Sequence, residues 1–236
     1  MTGVQTCALP ICMTSASPSF QSSSSPPATA ILSALAEEQH GLIELLQHPR
    51  QVIHAGRTFW RGDLQGQPVV LAVSKIGKVA AATTATALIE RFAVRRIVFT
   101  GVAGGMAEGV NVGDVVVATG FVQHDMDASP IFPRYEVPLY GQSRFASDAA
   151  LTDLLMRASQ DMLTHDHDAL RFPQARLHHG LVISGDRFVS GAAESAVLRA
   201  ALGAAGHAAL AVEMEDRKST RLNSNHSTLS RMPSSA

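Results

Sequence analysis

Arg96-Ile97-Val98-Phe99-Thr100 runs straight into Gly101-Val102-Ala103-Gly104-Gly105. The first five residues are rich in β-branched and aromatic side chains and read as a buried strand. The glycines then end that strand in a tight turn, where the backbone can approach a ligand closely. Upstream, Gly77 precedes Lys78–Phe92, an Ala-rich stretch with Leu88 and Ile89 on one face, which predicts a helix. Downstream, Asp114–Thr119 contains Val115, Val116 and Val117 and predicts another buried strand. Helix, strand, glycine turn and strand in this order point to an α/β domain.

The same alternation extends in both directions. Ala30–Leu35 is a short apolar strand leading into Glu37-Glu38. Leu42, Ile43, Leu45 and Leu46 then suggest an amphipathic helix ended by Pro49. Thr58–Leu64 and Pro68–Ser74 read as a hairpin turning at Gln65-Gly66. Beyond the central stretch, Ser147–Met162 reads as helix, Leu177–Ser184 as strand, Gly191–Leu202 as helix and Ala208–Val212 as strand. The expected architecture is a three-layer α/β/α domain over residues 29–216 with a central mixed sheet.

Composition agrees. The 236 residues suffice for one domain with a sizeable core, and 46% are hydrophobic but only 5% aromatic, so that core is aliphatic. No apolar run reaches the roughly 20 residues that cross a bilayer, and a cytoplasmic location is expected. The formal charge of −1 hides an asymmetry. Residues 217–236 hold Arg217, Lys218, Arg221 and Arg231 and no acid, so the remainder carries 15 basic and 20 acidic residues. An acidic body argues against a nucleic-acid surface. The two cysteines, Cys7 and Cys12, lie near the start, and the body offers no disulfide or thiolate metal site.

Both ends differ in character from the body. MTGVQTCALPIC, interrupted by Pro10 and lacking a basic start, is not a secretory signal. The Ser/Pro-rich segment after it cannot bury enough apolar surface to order itself, so residues 1–28 are expected to be a disordered leader. Residues 217–236 fit neither a helical nor a strand period and are expected to be a disordered tail. Both ends resemble translated sequencing-adapter sequence. On that reading the natural start is Met13 and the natural sequence leaves off near Glu215 or Asp216.

In open α/β sheets, ligands bind outside the carboxyl ends of strands. Here those ends carry Glu37-Glu38, the glycine turn, Ser184-Gly185-Asp186-Arg187-Phe188 and Glu213-Met214-Glu215. Carboxylates, free backbone N–H groups and one aromatic ring suit a polar ligand with a ring. Each signal has a plain alternative: a tight turn, a favoured helix start, a solvated strand end, a core phenylalanine. The glycine turn is neither a Walker loop nor a good dinucleotide fingerprint.

The ordered set Ala34-x-x-Glu37-Glu38, Ile76-Gly77-Lys78-Val79-Ala80-Ala81, Thr100–Gly105, Gly113-Asp114-Val115-Val116, Ser184-Gly185-Asp186-x-Phe188 and Val212-Glu213-Met214-Glu215 resembles the 5′-methylthioadenosine/S-adenosylhomocysteine nucleosidases. These belong to the purine nucleoside phosphorylase-like superfamily. The resemblance covers roughly residues 29–215. It implies hydrolysis of the N-glycosidic bond of an adenine nucleoside, with no cofactor, no metal and a homodimeric assembly. It makes Glu38 the carboxylate that activates water. Glu215 binds the ribose hydroxyls, with Glu213 and Met214 beside it. Phe188 stacks on adenine, the backbone of Val189 reads the base, and Ile76 and Gly104 line the site. His124–Pro138 resembles the segment reaching the neighbouring subunit's pocket, through Ile131, Phe132 and Pro138.

The resemblance also implies an aspartate that protonates adenine N7, on a strand after Glu-Met-Glu reading as an apolar run, Arg, a short spacer, Ser and Asp. This sequence continues instead with Asp216-Arg217-Lys218-Ser219-Thr220, and Asp216 stands in the wrong place. The last core strand and closing helix are therefore expected to be missing, one sheet edge stripped, and the chain poorly folded and inactive. Alternatives are a phosphorolytic purine nucleoside phosphorylase, a hydrolase of another nucleoside such as futalosine, and a non-catalytic nucleoside binder. His165-Asp166-His167-Asp168, His178-His179 and His124-Asp125-x-Asp127 raise metal binding. The first two read better as solvated loop residues, the last as hydrogen bonding at the site's rim.

Overall fold

The computed structural model describes residues 28–39, 41–165, 172–189, 191–214 and 226–231, the last group through its backbone only. Its strands are β1 (Thr29–Ser33), β2 (Gln47–His54), β3 (Arg57–Leu64), β4 (Gln67–Val73), β5 (Arg96–Val102), β6 (Gly104–Gly105), β7 (Val115–Gln123), β8 (Arg144–Ala146), β9 (Leu177–Ser184), β10 (Ala209–Glu213) and β11 (His226–Arg231). The helices are α1 (Lys78–Phe92), α2 (Ala149–His165) and α3 (Ala192–Ala204), with a single 3₁₀ turn at Ala36–Gln39. One mixed sheet runs in the order β2-β3-β4-β1-β5-β11-β7-β9-β10-β6, with β8 against β7.

Period-two alternation buries both faces of the sheet. Ala30 and Leu32 of β1 join Val70 and Ala72 of β4 beneath Ala85, Leu88 and Phe92 of α1. Ile31, Val69 and Leu71 point the other way, onto Leu42, Ile43 and Leu46. In the second half, Leu181, Ile183 and Val212 pack with Leu198 and Leu202 of α3, while Val116, Ala118, Val182 and Ala211 form a cluster of their own. A fully buried leucine such as Leu88 contributes about 1.5–3 kcal/mol by leaving water.

Three readings of the sequence are corrected. The apolar run Leu42–Leu46 is a turn, not a helix. Gly41 adopts φ 82° just before it, and the strand β2 begins at Gln47. Five residues are too few for a stable helix, although their apolar side chains are used in packing as expected. The strand β2 itself was not anticipated. It is an outer strand, exposed at nearly every position, so it shows no alternation, and it tolerates Pro49. Residues 217–236 were expected to lack structure and the sheet to be short of a strand at one edge. Residues 226–231 instead form β11 inside the sheet, parallel to β5 and antiparallel to β7. The facing edges of β5 and β7 present backbone donors and acceptors that must be satisfied. Strand pairing can do this without an apolar side-chain pattern. The leader up to residue 27 lies outside the described residues.

The helix α1 ends with Ala93 in the left-handed conformation, φ 51°, its N–H donating to the Leu88 carbonyl. This position favours glycine. Ala93→Gly is expected to stabilise the fold by about 1 kcal/mol, and Leu88→Ala to cost about 2–5 kcal/mol, both read as shifts of the urea midpoint at constant slope.

Candidate active site

The site is built where the chain leaves β5. Strands β1, β4 and β5 run parallel to one another, and β7, β9 and β10 form a second parallel group. Ala103 carries the chain from β5 to β6, whose Gly104 and Gly105 pair with Val212 and Ala211 of β10. This crossing brings the carboxyl ends of β1, β5, β9 and β10 around one cavity of about 420 Å³. Its walls include Glu38, Ile76, Gly104, Phe188, Val189, Glu213 and Met214, together with Leu35, Val102 and Arg187.

Glu38 is fixed by backbone donors. Its Oε2 accepts from the N–H groups of Ala34 and Leu35, both at 2.9 Å, and its Oε1 from Val102 N–H at 3.1 Å. A carboxylate offers about four lone-pair sites, so one site remains on Oε1. Glu37 beside it is exposed, whereas Glu38 is half-buried. Gly101 permits this close approach, since a Cβ there would stand 2.9 Å from Oε1. Gln39, buried, donates to the carbonyls of Ile31 at 3.0 Å and Ala72 at 2.8 Å, which pins the 3₁₀ turn to the sheet. Nothing in the sequence marked Gln39 for this role.

Glu213 ends β10 and is buried, and its carbonyl accepts from Gly185 N–H at 3.2 Å. Phe188 is 73% exposed and lines the cavity. Arg187, which the sequence reading left without a role, is hydrogen-bonded to Glu194. Ile131 is 81% exposed, and neither it nor Phe132 and Pro138 lies among the cavity's lining residues. Glu215 lies outside the described residues, as do His40, Ser190 and Asp166–Asp168.

Asp114 is buried in the first turn before β7 and accepts from the N–H groups of Asn111 and Arg176 and from His178 Nε2, all at 2.8 Å. Burial raises its pKa, but these three donors together overcome it and hold the carboxyl below its ordinary range. His178 is thus engaged by a carboxylate. Among the described residues no group of three His, Cys, Asp or Glu could hold a metal. His124, at the end of β7, is pushed below its ordinary 6.5 chiefly by burial.

The sequence profile described as the phosphorylase superfamily matches residues 28–215. The chain belongs to the phosphorylase superfamily. It is similar to a 5′-methylthioadenosine/S-adenosylhomocysteine nucleosidase of Anoxybacillus flavithermus, 36% identical over 160 residues that make up 68% of this chain and 65% of that protein. It is also similar to an aminodeoxyfutalosine nucleosidase of Campylobacter jejuni, 31% identical over 172 residues covering 72% and 69%. The chain thus spans about two thirds of these relatives' length. The crystal structure of the methylthioadenosine/adenosylhomocysteine nucleosidase of Neisseria meningitidis, in complex with methylthio-immucillin-A, superposes with a TM-score of 0.75 at 31% identity, over 86% of this chain and 84% of that one.

The titrating groups set an acid limit. His124 has a lowered folded pKa, so the unfolded chain takes up its proton first, and stability falls as pH drops below about 6.5. The stabilisation from Asp114 is present above its unfolded value of about 3.9 and is lost as pH falls through the lower folded value. Urea unfolding between pH 8 and pH 3 is expected to show both losses. His124→Gln should reduce the upper one, the remainder coming from His207, which burial also holds below its ordinary value, and leave the lower one.

Proposed function

We propose that the chain carries the site of an N-ribosyl hydrolase for adenine nucleosides of the methylthioadenosine and adenosylhomocysteine type. The supporting observation is the cavity in which the Glu38 carboxylate, held by three backbone N–H groups, shares walls with Glu213, Met214 and the Phe188 ring. Relatives that bear the nucleosidase name add weight.

Cleavage of the bond between C1′ and the base builds oxocarbenium-like positive charge on the ribose, as in other glycoside cleavages. Carboxylates beside the sugar stabilise that charge. Glu38 accepts a proton from water through its remaining Oε1 site as the water oxygen bonds to C1′. The electron pair of the broken bond goes to adenine, which must gain a proton at N7. Glu213 and Met214 bound the ribose, with Glu215 as its hydroxyl partner. Phe188 stacks on the base, Val189 reads it through its backbone, and Ile76 and Gly104 complete the walls. No cofactor enters this chemistry.

Hydrolysis is preferred to phosphorolysis because the cation in the cavity wall, Arg187, is already bonded to Glu194. Among the described lining residues a phosphate dianion would meet Glu38 and Glu213 without a free positive partner. The carboxylates among the described lining residues are Glu38 and Glu213, assigned to water and sugar. Neither is left to protonate the departing base, so the proposed state of the described site binds nucleoside but turns it over slowly. Ile131 and Leu139, 81% and 89% exposed, with Phe132 and Pro138 beside them, form the surface for a second copy. A homodimer in the cytoplasm is the proposed state.

Adenine release from methylthioadenosine by the purified chain is expected at least about 10²-fold below an ordinary enzyme, unchanged by added phosphate. Release at 1–10³ s⁻¹, an ordinary range of about that width, would overturn the slow-turnover proposal, and phosphate dependence would overturn hydrolysis. Phe188→Ala is expected to weaken adenine binding about tenfold, since stacking on an aromatic contributes about 1–3 kcal/mol per base. Titration calorimetry measures this. Glu38→Gln should lower the residual release further with little effect on adenine affinity. Comparing methylthioadenosine, adenosylhomocysteine and aminodeoxyfutalosine as substrates separates the named relatives' specificities.

A further inference from the structure

Two walls of the cavity are poorly supported by apolar packing. Ile76, just before α1, is 55% exposed, and Phe188, after β9, is 73% exposed. A closed polar ring joins the segments that carry them. Lys78, in the first turn of α1, is buried at 4% exposure. Its Nζ donates to Asp125 Oδ1 at 2.6 Å and lies 3.6 Å from Asp186 Oδ2. The Lys78 backbone N–H donates to Asp186 Oδ1 at 3.0 Å, and the Asp186 backbone N–H to Asp125 Oδ2 at 2.8 Å. All four carboxylate oxygens are engaged.

We infer that Lys78, with Asp125 and Asp186, is a positioning residue that holds Ile76 and the Arg187–Val189 segment at the spacing the ring of a nucleobase requires. The ligand in this statement rests on the function proposed above; the clasp does not. Three observations support it. Gly77, with φ 102°, gives α1 no side-chain cap, and Asp186 takes the cap's place from across the sheet. Gly185 lies so close to the end of β7 that a Cβ would collide with the His124 imidazole, which leaves Asp186 facing Asp125. The segment's further polar tie, between Arg187 and Glu194, reaches α3 and leaves the spacing to α1 unset. Without the ammonium, two carboxylates face each other across the gap and repel. Asp186 then swings away and takes Phe188 with it.

The test uses the full chain with Lys78→Met and, as the gentler change, Asp125→Asn. Hydrogen exchange at the Lys78 and Asp186 amides is expected to accelerate at least tenfold, while amides within β5 and β9 keep their protection. Adenine affinity should fall about tenfold. The KM for methylthioadenosine should rise while the residual rate at saturation stays within about twofold, a split that general loosening of the fold would not produce. Unchanged exchange at Asp186 in a folded variant overturns the clasp. Faster exchange with unchanged adenine affinity overturns its role in setting the cavity. If Lys78→Met does not fold, Asp125→Asn decides on the same readouts. If the unmutated chain does not bind adenine, the functional reading fails, and exchange at Asp186 alone decides the clasp.

Discussion

The capture of one carboxylate by three backbone N–H groups ties the halves of this site together. Glu38 takes donors from Ala34 and Leu35 at the end of β1 and from Val102 at the end of β5. It therefore staples two neighbouring strands at the edge where both stop pairing. The N–H groups of Ala34 and Leu35 have left the ladder, and that of Val102 lies beyond the last pair of β1 with β5, so each needs an acceptor. Deleting the carboxylate would leave donors unsatisfied, each costing about 1–3 kcal/mol where water cannot replace the partner. The proposed water-activating group is thus a structural element as well, and its orientation follows from the sheet rather than from a flexible loop.

That arrangement depends on glycine at two places. Gly101 lets the β5 backbone pass the carboxylate without a clash, and at Gly104 a Cβ would meet Val212 Cγ1 at 3.1 Å. The segment between them crosses from β5 to β10 and turns two oppositely directed groups of strands toward a common cavity. The glycine-rich stretch is more than a bare turn. Its lack of side chains allows close approach on both flanks, a packing requirement that also leaves the cavity open.

Much of this was legible in the sequence because the deciding signals are local. The β5 strand and its glycines, the α1 helix and the valines of β7 read correctly from period and composition. Glu38, Phe188 and Glu213 could be placed because each falls beside a strand end. What could not be read depends on contacts distant in sequence. A lysine in the first turn of a helix reads as solvated, yet Lys78 is buried because Asp125 and Asp186 come to it from β7 and β9. Gln39 looks like an ordinary turn residue until β4 is beside it. The strand β2 is too polar and exposed to carry an alternation, and β11 is recruited by the backbone edges of its neighbours.

The charges around the cavity share one logic. Two cations described beside it are bound to anions, Lys78 to Asp125 and Asp186 and Arg187 to Glu194. Glu38 instead draws its support from neutral backbone dipoles, which orient it without cancelling its charge. The cavity therefore keeps a negative character while its surroundings remain balanced. A ligand that becomes positive at its centre as it reacts gains from this field, and one that arrives as an anion does not. The same separation explains why a buried lysine can lie behind the wall of such a site without opposing its chemistry, because its charge is spent on two carboxylates before it reaches the cavity.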